Sequence, residues 1–137
     1  MRPAGWFVLT ALAAPGGLAL AEEPQVDCDN AIVQFDLTYC AGKEYEAADA
    51  ALNAEWKTAR AAAVAMDEDL EPAERGAEEA LLKAQRAWIA YRDAACEAET
   101  FPMRGGTAWS MVLHGCKTKL TGMRTQELKR LAEILGG

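Results

Sequence analysis

From Leu37 onward apolar residues return at steps of three and four: Leu37, Cys40, Ala41, Tyr45, Ala48, Leu52, Trp56, Ala59 and Ala63. That spacing lays a single stripe along a helix, with Lys43, Glu46, Lys57 and Arg60 on the other side. Asp29 is a candidate cap for this helix. The stripe fades over 66–72 (Met-Asp-Glu-Asp-Leu-Glu-Pro), and proline suits the first turn of a new helix better than the interior of an old one. A second stripe, Leu81, Gln85, Trp88, Arg92 and Ala95, predicts a helix starting near Ala73. Glu74, Glu78 and Glu79 crowd its first turns, where the helix dipole favours anions. Thr100 to Gly106 ends it with proline and paired glycine. A third stripe, Trp109, Leu113, Cys116, Leu120, Met123, Leu128, Leu131 and Leu135, predicts a helix from an N-cap at Thr107 to about Leu135. No stretch keeps a strand's alternation. The expected fold is all-α, a small three-helix antiparallel bundle.

The first 21 residues read differently. Arg2 gives a positive start, Trp6 to Ala14 is an apolar run, Pro15-Gly16-Gly17 breaks it, and Ala19-Leu20-Ala21 is a small-x-small site. This is the pattern of a secretory signal cleaved after Ala21, and the run is shorter than the roughly 20 apolar residues that span a bilayer. The expected organisation is a signal peptide over 1–21 and one helical domain over 22–137, periplasmic or secreted. Glu22 follows the cleavage point, where a lipoprotein would carry its cysteine, so no membrane anchor is expected.

The chain carries a net charge of −7. Acidic proteins are repelled by nucleic acid and anionic lipid and attracted to cationic partners. The cysteines Cys28, Cys40, Cys96 and Cys116 all lie in the mature part. In an exported chain an even count implies disulfides, here two. A structural zinc site usually has close cysteine pairs, which are missing, so no metal is expected. Three pairings are possible. Sequence proximity leans toward Cys28–Cys40 with Cys96–Cys116, and the first of these needs the segment before Cys40 to turn back.

If the first helical hairpin turns near residue 70, facing residues have numbers that add to about 140, given equal rise on both helices. Leu52 then lies level with Trp88, and Asp49 with Arg92. An Asp–Arg pair across two helices makes a strong bidentate contact when partly desolvated. Asp49 and Arg92, with Asn53 and Gln85 as polar neighbours and Trp88 in the core, read as an internal clamp fixing helix register, since buried charge is normally paired. No catalytic constellation is visible. His114 is the only histidine, which excludes a His-based triad or a His-rich metal site. No phosphate-cradling glycine motif or calcium loop occurs, and no cofactor is expected. Asp67-Glu68-Asp69 reads as a solvated turn.

Certain blocks carry a resemblance. They are Cys28 and Cys40; Ala48-Asp49-Ala50-Ala51-Leu52-Asn53; Gln85-Arg86-Ala87-Trp88-Ile89-Ala90-Tyr91-Arg92-Asp93 running on to Cys96; Gly105-Gly106; Cys116; and Leu120-Thr121 with Arg124-Thr125-Gln126-Glu127-Leu128. Together they resemble the LprI-like lysozyme inhibitors of bacterial exported proteins, across essentially the whole mature domain. The family is named for a lipoprotein described as a lysozyme inhibitor, and this chain departs from it in lacking the lipid-anchor cysteine. The resemblance implies a non-enzymatic protein whose partner is a lysozyme, many of which are cationic, or another envelope protein. If the protein blocks a lysozyme, the expected contact is the apolar loop Phe101-Pro102-Met103-Arg104-Gly105-Gly106, which could enter a cleft and cover two catalytic carboxylates; the plainer reading of the same loop is an ordinary helix connection. The alternative is an envelope module that binds protein or peptidoglycan without inhibiting.

Overall fold

The structure, a computed structural model, describes residues 25–137. The leader expected over 1–21 lies outside the described residues. Three helices follow: α1 (Gln34–Asp69), α2 (Ala77–Thr100) and α3 (Trp109–Leu135). One-turn 3-10 segments precede α1 (Cys28–Asn30) and close α2 (Phe101–Met103). No strand forms among the described residues.

Cross-helix contacts fix the topology. The pairs Arg60–Glu78 and Asp49–Arg92 have numbers adding to about 140, so α1 and α2 run antiparallel, as their equal rise requires. Gln85–Arg124 and Asp93–Lys117 make α2 and α3 antiparallel in the same way. Gln34 meets Met111 and, further along both helices, Tyr45 meets His114, so α1 and α3 run parallel. The bundle is up-down-up, and α1 makes its most extensive contact with α3.

The core follows the sequence stripes, except that Met123 of the third is exposed and Thr121 is buried in its place. Leu52, Ala59 and Ala63 of α1, Leu81 of α2 and Leu128 of α3 are buried together, with Trp56, Trp88 and Leu131 packed around them. Ala59 and Ala63 are fully buried, and such small side chains let neighbouring helices pack closely. This apolar cluster occupies the half of the bundle nearer the α1–α2 turn. The disulfides Cys28–Cys40 and Cys96–Cys116 hold the opposite half. They are the pairing that sequence proximity favours. The segment before α1 doubles back through its short turn, which places Cys28 within a Cα distance of 5.6 Å of Cys40.

The helix starts differ from the expected ones. α2 begins at Ala77 rather than near Ala73, because Asp67 accepts hydrogen bonds from the backbone N–H groups of Gly76, Ala77 and Glu78. Pro72 and Glu74 therefore lie in the connection and not in the first turn of α2. Asp67 is a helix cap rather than a solvated turn residue. α3 begins at Trp109 with Ala108 at the capping position, so Thr107 does not cap it. Asp29 does not cap α1 either: Val33 holds that place with no side-chain bond. The acid at work before α1 is Asp27, whose carboxylate accepts from the Asp29 N–H and the Asn30 amide.

Candidate functional site

Midway along α2 the guanidinium of Arg92 is buried, with its side chain 8 % exposed. Its Nε donates to Asp93 Oδ1 at 3.0 Å and its Nη1 lies 3.7 Å from Asp49 Oδ1. The expected Asp49–Arg92 juxtaposition is present, but the fork is divided between two carboxylates instead of being bidentate on Asp49. Asn53 donates to Asp49 Oδ2 at 2.9 Å, one helical turn away. The guanidinium also lies over the rings of Trp88 and Tyr45, at 5.2 and 5.6 Å from their centroids, a cation–π arrangement. Lys117 of α3 reaches Asp93 at 3.2 Å. Burial raises the proton affinity of Asp93, but the hydrogen bonds from Arg92 and Lys117 outweigh it and hold its carboxyl below the ordinary value.

Gln85 stands apart from this group. Its side-chain oxygen accepts from Arg124 Nε of α3 at 3.0 Å, and Arg124 continues to Glu127. The hairpin register places Gln85 on the inner face but gives no information about α3, which supplies its partner. Lys117 and Arg124, both on α3, escape the hairpin register for the same reason. Among the described residues no group of three or more His, Cys, Asp or Glu side chains could hold a metal ion. The ring of His114 stacks on Tyr45 with centroids 6.0 Å apart.

The second candidate is the tip between α2 and α3. Thr100 is buried, and its hydroxyl donates to the Cys96 carbonyl at 2.7 Å. The chain then turns through Phe101–Met103 into Gly105, whose φ of 82° suits glycine. Phe101 and Met103 are 60 % and 51 % exposed. The Arg104 guanidinium lies against the Phe101 ring at 5.7 Å and 3.7 Å from Glu97. The Cys96–Cys116 bridge ties the two helix ends that carry this turn. The tip is thus an apolar knob with one cation on a cross-linked neck. A groove of about 400 Å³ along α1, bordered by Trp56, Arg60, Val64 and Glu68, lies in the half of the bundle away from it.

A family model described as Lysozyme inhibitor LprI matches residues 28–128, a span that takes in both disulfides, the Arg92 cluster and the tip. The chain belongs to the LprI lysozyme inhibitor family. It is also 48 % identical over 118 residues to an uncharacterised protein of Rhizobium meliloti (strain 1021), covering 84 % of this chain and 85 % of that one. No solved structure gives a significant match. Within this LprI domain the matched span ends at Leu128, the fully buried leucine of α3. Among the described residues no helix is long and apolar enough to cross a membrane.

Proposed function

We propose that this protein is exported and inhibits a lysozyme by seating the Phe101–Arg104 tip in the enzyme's active-site cleft. The observation that carries the reading is the tip itself: two exposed apolar side chains and one arginine on a neck closed by a disulfide, in a chain of the LprI family. A glycosidase cleft holds a pair of carboxylates around the scissile bond. Arg104 is the group of the tip that can pair with one of them, while Phe101 and Met103 cover apolar cleft walls. The chain carries a net charge of −7, which steers it toward a cationic enzyme and makes association fall with rising salt. The signal pattern over 1–21 supports delivery to the periplasm or beyond, with cleavage after Ala21.

The test is a cell-wall lysis assay in which oxidised mature protein is titrated into lysozymes of several classes. Dose-dependent inhibition is expected, and a Phe101→Ala/Arg104→Ala variant that melts like the wild type should lose it by tenfold or more. Absence of inhibition in every class would overturn the reading in favour of an envelope protein- or peptidoglycan-binding module.

A further inference from the structure

The end of the bundle that carries the tip exposes a second apolar group. Ile32, Val33 and Phe35 are 88 %, 52 % and 68 % exposed. They lie at the same end as Phe101 and Met103. The Gln34 amide contacts Met111 Sδ at 3.7 Å, which sets the first turn of α1 beside the first turn of α3, just past the tip.

Neither local folding need accounts for these side chains. Val33 occupies the capping position of α1 with no side-chain hydrogen bond, where Ser, Thr, Asp or Asn would stabilise the helix. Ile32 stands one residue before the cap and Leu37 at the fourth helical position, the pair that packs together in a hydrophobic staple. At 88 % exposure Ile32 makes no such packing. A stabilising cap is missing and an apolar side chain is left in water, in a segment that the Cys28–Cys40 bridge nevertheless holds in place. Local rules are broken in this way mainly at functional surfaces, and monomeric proteins seldom leave large apolar patches without a use.

We infer that Ile32, Val33 and Phe35 form the second half of the partner-binding surface, so that the inhibitor grips the lysozyme from two cross-linked segments at once. This rests on the lysozyme reading above and assigns the footprint that reading leaves open. The exposed acids beside the two segments, Asp27 and Asp29 on one side and Glu97 and Glu99 on the other, select the occupant. They repel a second copy of this acidic chain and an anionic lipid surface, and attract a cationic protein. The bridges hold both apolar segments in position before contact, which lowers the ordering cost of binding.

The test uses the oxidised full mature chain and a cationic lysozyme that the wild type inhibits. An Ile32→Ser/Val33→Ser/Phe35→Ser variant is compared with Met66→Ser/Ile134→Ser, which removes exposed apolar side chains from the last turns of α1 and α3. Circular dichroism melts establish that both variants fold. The inhibition constant should rise tenfold or more for the first variant and stay unchanged for the second. Amide hydrogen exchange of the wild type should slow on complex formation over 32–37 as well as 101–106. Wild-type inhibition that survives the triple substitution but is lost in Phe101→Ala/Arg104→Ala overturns the two-segment surface and leaves the lysozyme reading standing. If the triple variant does not fold, exchange in the wild-type complex decides alone, and unaltered exchange over 32–37 overturns the inference. A wild type that neither inhibits nor binds any lysozyme overturns both, and that outcome is read without any variant.

Discussion

Arg92 touches all three helices through its neighbours: Asp49 and Tyr45 on α1, Trp88 and Asp93 on its own helix, and Lys117 of α3 by way of Asp93. Removing the buried guanidinium takes from Asp49 its cation and leaves Asp93 with Lys117 alone. Because Asp49 and Asp93 are 43 % and 46 % exposed, water takes up part of that loss, and the full cost of a broken buried pair does not apply. Arg92→Ala should therefore destabilise the protein by about 2 kcal/mol, with an added share from lost packing on Trp88. Urea denaturation of the oxidised protein checks this. A variant as stable as the wild type would mean that the cluster does not fix the bundle. The Asp49–Arg92 pair was legible in the sequence because a two-helix hairpin has one register parameter, and the turn near residue 70 set it. The division of the guanidinium between two acids was not, since Asp93 is adjacent in sequence to Arg92 and the periodicity gives no sign that its side chain folds back.

The helices themselves follow from periodicity, and their ends follow from capping, which periodicity does not report. Asp67 sits in the last turn of α1, yet its two oxygens take three N–H groups at the start of α2. One carboxylate in the last turn of α1 thereby caps the start of α2 and ties the two helix ends together. The sequence signal was present, an acid within reach of a glycine-led helix start, but Pro72 pointed to an earlier beginning. The hydrogen bonds from Gly76, Glu78 and Ala77 hold the Asp67 carboxyl below its ordinary value of 3.8. A group that binds its proton more weakly in the folded state stabilises that state fully above the unfolded pKa, and loses the effect as pH falls through the folded pKa. Asp67→Ala should accordingly lower the urea midpoint at neutral pH. The gap to the wild type should narrow well below pH 3.8, where the native cap is protonated too. An equal gap at both pH values would show that the carboxylate's charge is not what holds the turn.

On the scale of the whole molecule, stabilisation is divided. Leu52, Ala59, Ala63, Leu81 and Leu128 secure the half near the α1–α2 turn, and the two disulfides secure the half that presents Phe101, Met103 and the segment before α1. The fold class and the three stripes were legible because a buried face must repeat with the helix, and the family resemblance because its blocks, such as Gln85-Arg86-Ala87-Trp88 and the four cysteines, stand in the sequence itself. The second apolar segment was not, because Ile32, Val33 and Phe35 precede or open the helix and share no period with its buried face. Each bridge closes a short loop, with sequence separations of 12 and 20. One lies wholly on the α1 side of the connection at 70–76 and the other wholly beyond it. No covalent link other than the chain itself crosses that connection, and Arg75 is exposed within it. A trypsin cut after Arg75 would turn the protein into a heterodimer of two separately cross-linked pieces, joined only by the α1 interface. The nicked material should elute as one species in gel filtration at neutral pH, yet resolve into two bands on a denaturing gel without any reducing agent. A single band under those conditions would mean that the connection resists cleavage or that the bridges join the two pieces.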